Sequence, residues 1–497
     1  MARSDYLMTI ISNVTCPVCG SLCDDLEIEV ENNVVTKVRN ACGVGESKFL
    51  GYSGHRPLKP LIRENGELVE ASLSEAVKRS AKILAEARYP ILYGWSNTSC
   101  EASRMGVELA EEVGGVIDNT STVCHGPSVL SIQDVGFSTA TLGQVRHRAD
   151  LILYWGCNPW SAHPRHIERY TSFTEGRFRH SEWHKYIASL SAFRSGQRVE
   201  RACRLTEEKS EAAVERKAEP ERLTKLPPSL FEKERKMIVV DVRRTRSADI
   251  ADCFMQVEPN KDFEVFQALR ALLKEEELQV DQVGGVSVEV LEDLVDVLAS
   301  CEFGVLFFGV GLTMSEGKLR NIDAGISLVR DLNQFTKFII MPMRGHYNVT
   351  GANVVSTWQT GYPFAVDMAH GYPRYNPGET SVVDILSRGE SDAALVVASD
   401  PVAHFPKEAV KNLVQKPLIV IDPEMNATSL MADVVFPCAI AGIEAEGTAY
   451  RMDRVPLPLK KVVKPPRTCL ADEEIVRRIL KEVRRIKKRE GEVVANG

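Results

Sequence analysis

Long apolar runs are missing from this sequence. None approaches the roughly 18 residues that a membrane-spanning helix needs, and the longest, GVLFFGVGL and KFIIMPM, are of strand length. A leader is missing as well: MARSDYLMTI has no charged start followed by an apolar stretch and a cleavage site, so a cytoplasmic protein is expected. Nor is there an excess of positive charge. The 61 basic and 68 acidic side chains leave a formal net charge of −7, which argues against a general nucleic-acid binder. What is present is a chain of 497 residues, 44% apolar and 26% charged. That composition excludes disorder for most of the chain, and the length corresponds to roughly two to four domains.

The twelve cysteines are unevenly placed. Four crowd into the first 42 residues as Cys16-x2-Cys19-x3-Cys23-x18-Cys42, and the other eight stand singly, without ligand spacing. In a cytosolic protein such a cluster reads as a metal site rather than a disulfide framework. Four thiolates hold either zinc or an iron–sulfur cube. Structural zinc usually takes two matched CxxC knuckles, whereas a compact run of three cysteines with a distant fourth suits a 4Fe–4S cube. Between Cys23 and Cys42, LEIEVENNVVTKV reads as a hairpin turning at Glu31-Asn32-Asn33, which folds the fourth cysteine back toward the others.

Beyond residue 60, short runs rich in Val, Ile and Leu alternate with helical stretches. The runs are Pro90–Tyr93, Leu151–Trp155, Met237–Asp241, Gly304–Phe308, Phe338–Met341, Ala394–Ala398 and Leu418–Ile421. Such alternation predicts parallel sheets covered on both faces. Each run exits into small or polar residues, and open α/β sheets bind ligands outside the carboxyl ends of their strands. So many polar exits suggest an extended, nucleotide-like ligand. SLSEAVKRSAKILAEAR is predicted as a helix with Ala76, Ile83 and Leu84 on one face. ADEEIVRRILKEVRRIKKRE is a second, with Ile475, Ile479, Val483 and Ile486 on its packing stripe. From about 172 to 236, a charged stretch containing TEEKSEAAVERKAEPERL reads as an insertion without chemistry.

Two strand exits carry reactive groups. In STVCHGPSVL, Cys124 and His125 follow the strand-like GGVIDN and precede Gly126-Pro127, which opens a helix. A lone cysteine there is a core residue, a nucleophile or a metal ligand. Arg344 in RGHYN follows FIIMPM, where its planar fork either grips a carboxylate bidentately or makes a salt bridge.

The four-cysteine motif, Cys124-His125, GCNP at 156–159, VVDVRRT at 239–245, FGVGLT at 308–313, ASDP at 398–401 and EAEGTAYRMDR at 444–454 together resemble the molybdopterin- or tungstopterin-dependent oxidoreductases. NACGVGESKFL, TVCHGPSVLSIQDVGF, GCNPWSAHPRHIERY and MRGHYNVTGAN are similar in particular to the catalytic B subunits of formylmethanofuran dehydrogenases. The likeness covers nearly everything outside the insertion.

The resemblance implies an α/β fold: a small N-terminal 4Fe–4S domain (1–60) followed by two interleaved doubly wound α/β domains. One is discontinuous (61–140 and 342–470), and the other spans 141–341 and contains the insertion at about 172–236; a C-terminal helix and tail fill 471–497. Cys16, Cys19, Cys23 and Cys42 would hold the 4Fe–4S cluster. One W or Mo ion, gripped by two molybdopterin guanine dinucleotides, would take Cys124 as its protein ligand, with His125 and Arg344 as active-site neighbours. Gly156, Asn158, Asp241, Arg243, Thr245, Gly309, Gly311, Asp400, Glu446, Gly447 and Thr448 would line the cofactor loops. The implied activity is reversible reduction of carbon dioxide to formate in methanogenesis, the formate then being joined to methanofuran by a partner subunit. Implied partners are an amidohydrolase-like A subunit, a small barrel D subunit, a C subunit and polyferredoxin-type subunits.

Two departures from the wider family stand out. Formate dehydrogenase chains carry a lysine two residues after the fourth cysteine, where this sequence has Val44, with Lys48 the nearest substitute. Those chains also continue past the EGT motif into a β-barrel that covers the pterins. Here VPLPLKKVVKPP and one helix follow, so the barrel is expected to be absent and supplied by the D subunit. The alternatives are a stand-alone formate dehydrogenase subunit, a non-catalytic iron–sulfur subunit such as that of respiratory NADH dehydrogenases, and a zinc-stabilised binding module. The missing barrel counts against the first, the presence of both Cys124 and Arg344 against the second, and the many polar strand exits against the third.

Overall fold

The computed structural model describes residues 8–54, 56–178, 225–228, 230 and 233–496, with side chains as far as 489. The charged run at 206–223 lies outside the described residues. The chain forms two compact units, residues 1–126 with 344–497, and residues 127–343.

The first unit opens with a three-stranded antiparallel sheet, Met8–Val14, Leu26–Glu31 and Val34–Arg39. The hairpin expected around Asn32-Asn33 is present, with both asparagines left-handed (φ 51 and 66), the conformation a two-residue turn demands. Helix Gly43–Leu50 follows and buries Phe49 against Leu26 and Ile28 of the sheet.

A nine-stranded mixed sheet makes up the body of this unit. Its parallel centre runs, side by side, Val116–Asn119, Pro90–Gly94, Ala393–Val397, Leu418–Ile421 and Val434–Phe436. Antiparallel strands finish both margins, Val366–Asp367 on one and Leu61–Glu64 on the other. The strand cores are wholly buried, as continuous Val/Ile/Leu runs require, because helices cover both faces. Helix Leu73–Glu86 is capped by Ser72 and buries Ala76 and Leu84, with Ile83 half-buried beside them. The last helix runs Asp472–Asn496, longer than its sequence pattern suggests, and lays Ile475, Ile479 and Val483 into the same core. Arg484 ties it to Glu108 and Glu112 at 2.9 and 2.8 Å.

In the second unit five strands are all parallel, in the order Cys253–Gln256, Lys236–Asp241, Leu151–Trp155, Phe303–Phe308, Lys337–Pro342. The ends of the insertion belong to this core: Leu226 and Leu230 are buried in it. Arg235, also buried, donates to the carbonyls of Ala149, Thr171, Thr174 and Arg146 at 2.7–3.0 Å. Among the described residues there is no closed barrel, and no helix is long and apolar enough to cross a membrane.

Both sheets reverse their strand order once. In the second unit the chain enters at Leu151–Trp155, works outward to Cys253–Gln256, then returns to the other side with Phe303–Phe308. In the first, the parallel centre begins at Pro90–Gly94, steps to Val116–Asn119 and returns to the other side with Ala393–Val397. Loops on either side of such a reversal diverge and leave a crevice at the carboxyl ends of the strands.

The segment following helix Gly43–Leu50 is fastened by Arg56, whose Nη2 donates to Glu444 Oε1 at 2.6 Å with the two side chains only 3% and 1% exposed. The other carboxylate oxygen accepts from the Ile440 N–H at 3.0 Å. Removing one member of a buried ion pair strands the other charge, so Arg56→Met should cost about 3–5 kcal/mol. Adding Glu444→Met should recover most of that loss, as read by thermal unfolding. Additive losses in the double variant would show that the pair is not the fastening.

Candidate functional site

The cysteine loop is shaped by its backbone before its sulfurs are considered. The Cys16 N–H donates to Cys23 O at 2.8 Å, and Leu22, left-handed at φ 37, donates to Cys19 O at 3.0 Å. Cys42 caps helix Gly43–Leu50, its Sγ accepting from the Gly45 N–H at 3.4 Å. A Cβ built on Gly45 would lie 3.2 Å from Cys16 Sγ and 3.7 Å from Cys42 Sγ, so these two sulfurs face the same spot from opposite ends of the motif. The Cys16 thiol is pushed well above its ordinary range, first by burial and then by Cys23, Cys19 and Cys42. Burial raises Cys19 also. Among the described residues, no three His, Cys, Asp or Glu side chains are grouped as ligands of a single metal ion. Val44 is 55% exposed, and Lys48 pairs with Glu424 at 3.6 Å.

Cys124 stands at the exit of strand Val116–Asn119. Asn119 caps the short 3-10 turn Thr120–Val123 by accepting from the Ser121 N–H at 2.9 Å, and the Cys124 N–H closes the turn on Ser121 O at 3.0 Å. The strand end beneath is held by Asp118, a buried carboxylate that accepts from the N–H groups of Asn119, Ala365 and Val382 at 2.8, 3.0 and 2.9 Å. Burial lifts its pKa to about 7 against those bonds. The Cys124 thiol is half-buried, and burial raises it to about 11 while the positive charge of Arg344 pulls it down. His125 is buried beside it in sequence. Arg344 is buried too and donates from Nη1 to Thr350 Oγ1 at 3.4 Å. Its guanidinium is lowered to about 10 by burial and by Arg454, with Cys124 opposing. The three residues expected at the reaction centre therefore lie in one unit, with Cys124 and Arg344 in each other's field.

The loop that carries Arg344 is fixed by contacts that sequence reasoning did not identify. The Gly20 N–H donates to Gly345 O at 3.1 Å, and Cys19 forms a β-bridge to His346. Asn348, quoted within a motif but given no role, is a buried hub. It donates to Ser96 O from its backbone at 3.0 Å and to Thr98 O from Nδ2 at 2.7 Å, and it accepts from the Tyr450 N–H at 2.9 Å. His346 Nδ1 meets Thr120 Oγ1 at 3.2 Å, and that hydroxyl donates to Ser96 Oγ at 2.7 Å. A polar residue with no charge partner in the sequence was the signal available for these.

The expected cofactor loops divide between the units. In the second, Gly156 (φ 57) accepts from the Gly311 N–H at 3.0 Å, and a Cβ on Gly311 would lie 2.7 Å from Gly156 Cα. Backbone thus touches backbone across the strand-order reversal, and only glycine permits that approach. Gly309 follows on the same exit, its N–H bonded to Trp155 O at 3.2 Å. Asn158 Oδ1 accepts from Ser247 Oγ at 2.7 Å, joining the exits after Leu151–Trp155 and Lys236–Asp241. Asp241 Oδ1 accepts from the Arg243 N–H at 3.3 Å, Arg243 itself is exposed, and Thr245 caps the short helix Arg246–Asp249. In the first unit, the Asp400 carboxylate accepts from the N–H and Oγ1 of Thr428 at 3.0 and 2.6 Å. Glu446 is exposed, Gly447 lies against Ser99, and Thr448 donates twice to Glu101 at 2.9 and 2.8 Å. Gly447 and Thr448 are thus fastened to the start of helix Cys100–Val113.

No family model matches the chain. The chain is 47% identical over 481 residues to the B subunit of the tungsten-containing formylmethanofuran dehydrogenase 2 of Methanocaldococcus jannaschii, an alignment covering 96% of this chain and 99% of that one. The B subunit of the enzyme of the same name from Methanococcus maripaludis is 44% identical over 97% of this chain and the whole of its own length. Among solved structures, the formyltransferase/hydrolase complex (FhcABCD) from Methylorubrum extorquens in complex with methylofuran contains a chain that shares the fold. Its TM-score is 0.62 at 21% identity, over 86% of this chain and 99% of that chain. On this identity and coverage, the chain belongs to the family of formylmethanofuran dehydrogenase B subunits, which are oxidoreductases.

Proposed function

We propose that this chain carries the site at which carbon dioxide is reversibly reduced to formate. Carbon dioxide takes up two electrons and one proton, and formate leaves for a partner subunit that joins it to methanofuran. The observation that carries this reading is Cys124 in the field of Arg344: a half-buried thiol at a strand exit beside a buried guanidinium. A soft thiolate suits a soft redox metal, and the positive charge favours the thiolate that burial opposes.

When bound, a W or Mo ion held by two molybdopterin guanine dinucleotides supplies the two-electron chemistry. The names of both relatives favour tungsten. The residues present fit such a group. Cys124 is the thiolate ligand. Each unit has one strand-order reversal, which suits two dinucleotides. A pyrophosphate is expected at the carboxyl ends of the strands beside these reversals, near the Gly156, Gly309 and Gly311 exits in the second unit and the Asp400 loop in the first. Arg344 holds the carboxylate oxygens of formate in a planar fork, and His125 holds the proton to be exchanged. Cys16, Cys19, Cys23 and Cys42 would hold a 4Fe–4S cluster, which would supply one-electron transfer between the site and iron–sulfur partner subunits. The partners are those of a multi-subunit complex in the cytoplasm: an amidohydrolase-like A subunit, a small barrel D subunit, a C subunit and polyferredoxin-type subunits.

Replacing Cys124 with Ala should abolish carbon dioxide reduction while leaving the iron–sulfur signal in electron paramagnetic resonance unchanged; retained turnover would remove Cys124 from the metal. Substituting Cys42→Ser should cost the chain about four iron atoms in anaerobic metal analysis. Unchanged iron, or zinc in its place, would end the cluster reading. The Arg344→Lys variant keeps the charge and loses the fork, so its KM for formate should rise about tenfold or more. An unaltered KM would make Arg344 structural.

A further inference from the structure

The hairpin formed by Gly447–Tyr450 and Pro456–Leu459 turns through Arg451–Val455. The Arg451 N–H donates to Val455 O at 3.0 Å and the Arg454 N–H to Arg451 O at 2.8 Å. Asp453 grips Arg451 through two bonds of 2.7 and 2.8 Å. Arg454 is left-handed at φ 65, a conformation that asparagine or glycine adopts readily and arginine only at a cost. Strain of that kind, held in place by its surroundings, marks a residue whose placement matters.

What holds the tip is Gly20. Its carbonyl accepts from the Met452 N–H at 3.0 Å while its own N–H donates to Gly345 O at 3.1 Å. One residue of the cysteine loop thus binds the hairpin tip on one side and the Arg344 loop on the other, laying the two arginines into one neighbourhood. Their charges do meet: Arg454 lowers the proton affinity of Arg344. Of the two, Arg344 is buried and Arg454 is exposed. A second positive charge near Arg344 lowers the energy of an anion that enters there.

Formate is the anion of the proposed reaction, whereas carbon dioxide is neutral. We propose that Arg454 is a second cation of the substrate site, drawing the formate carboxylate in toward the fork of Arg344. This rests on the function proposed above. It separates Arg454 from a purely structural turn residue, because its effect must depend on the charge of the substrate.

The test compares the purified complex carrying the parent chain, Arg454→Asn and Arg454→Lys. Asparagine tolerates the left-handed backbone and removes the charge; lysine keeps the charge. In formate oxidation, Arg454→Asn should raise KM about tenfold with kcat little changed. The overall equilibrium constant fixes kcat/KM to fall equally in both directions. Weakened formate binding therefore appears in carbon dioxide reduction as a tenfold lower kcat at unchanged KM. The parent's KM for formate should rise with added salt, that of Arg454→Asn should rise less, and Arg454→Lys should stay close to the parent. A raised KM for carbon dioxide, a lysine variant as impaired as asparagine, or a parent KM for formate insensitive to salt would each overturn the proposal. So would a loss of tungsten or pterin from Arg454→Asn, which would make the residue a cofactor holder. A parent complex that does not interconvert carbon dioxide and formate would bring down the function itself, and this inference with it.

Discussion

Three loops of the first unit share the backbone of Gly20, and the geometry of the candidate site depends on that contact. A Cβ at this residue would stand 2.3 Å from Arg344 O, far inside any tolerated approach. The absent side chain lets the cysteine loop, the arginine loop and the hairpin tip pack as three strands of backbone, with Cys19 bridged to His346. With them packs a small apolar cluster of Leu22 from the cysteine loop, Tyr347 from the arginine loop, Ala449 and Leu459 from the hairpin, and Ala441 from the segment before it. Hydrogen bonds above and packed side chains below make the junction rigid. The placement of Arg344 is therefore coupled to the conformation of residues 19–22, and anything that distorts the cysteine loop distorts the Arg344 loop as well.

Burying a guanidinium costs free energy that the surroundings must offset. Arg344 is served by the Thr350 hydroxyl and by the thiol of Cys124, whose ionised form the guanidinium favours in return. Asp118 solves the opposite problem. It is a buried carboxyl satisfied by three backbone N–H groups, and it pins the strand exit from which Cys124 departs. Buried polar groups held this completely specify one arrangement, whereas a partly satisfied network would leave the loop free to choose others. Asp118 and Asn348 in this way tie the Cys124 and Arg344 loops to the scaffold beneath them.

How much of this was legible in the sequence follows from the kind of interaction involved. Continuous Val/Ile/Leu runs gave the parallel strands, since burial on both faces erases the polar alternation of an exposed sheet. The Asn32-Asn33 turn and the buried face of helix Leu73–Glu86 were readable because their causes lie within a few residues. The Gly20 junction was not. It joins backbone atoms of residues 20, 345 and 452, and backbone contacts carry no side-chain signature. Asn348 was visible only as a letter in a motif, because its partners at 96, 98 and 450 come together through the fold alone. The ends of the insertion show a further difference. Charge between 172 and 236 suggested an insertion, part helical and part mobile, and at its end Leu226, Leu230 and Arg235 are buried parts of the second unit.

The reversal in the first unit's sheet carries its own physical mark. Trp95 and Ala398 leave the adjacent strands Pro90–Gly94 and Ala393–Val397, and both are left-handed, at φ 69 and 48. Neither residue is glycine or asparagine, so each stores on the order of 1–3 kcal/mol of strain. The Trp95 N–H is bonded to Val397 O at 3.2 Å, and its indole is wholly buried against Gly106, where even a Cβ would lie 2.5 Å from the ring. Packing thus holds the turn in a conformation that local preference opposes. In the second unit the corresponding approach uses Gly156 and Gly311 and stores no such strain. The first reversal has its own glycine, Gly94 at φ 122, where a Cβ would lie 1.9 Å from Val397 O, and the strain falls on the residue that follows it.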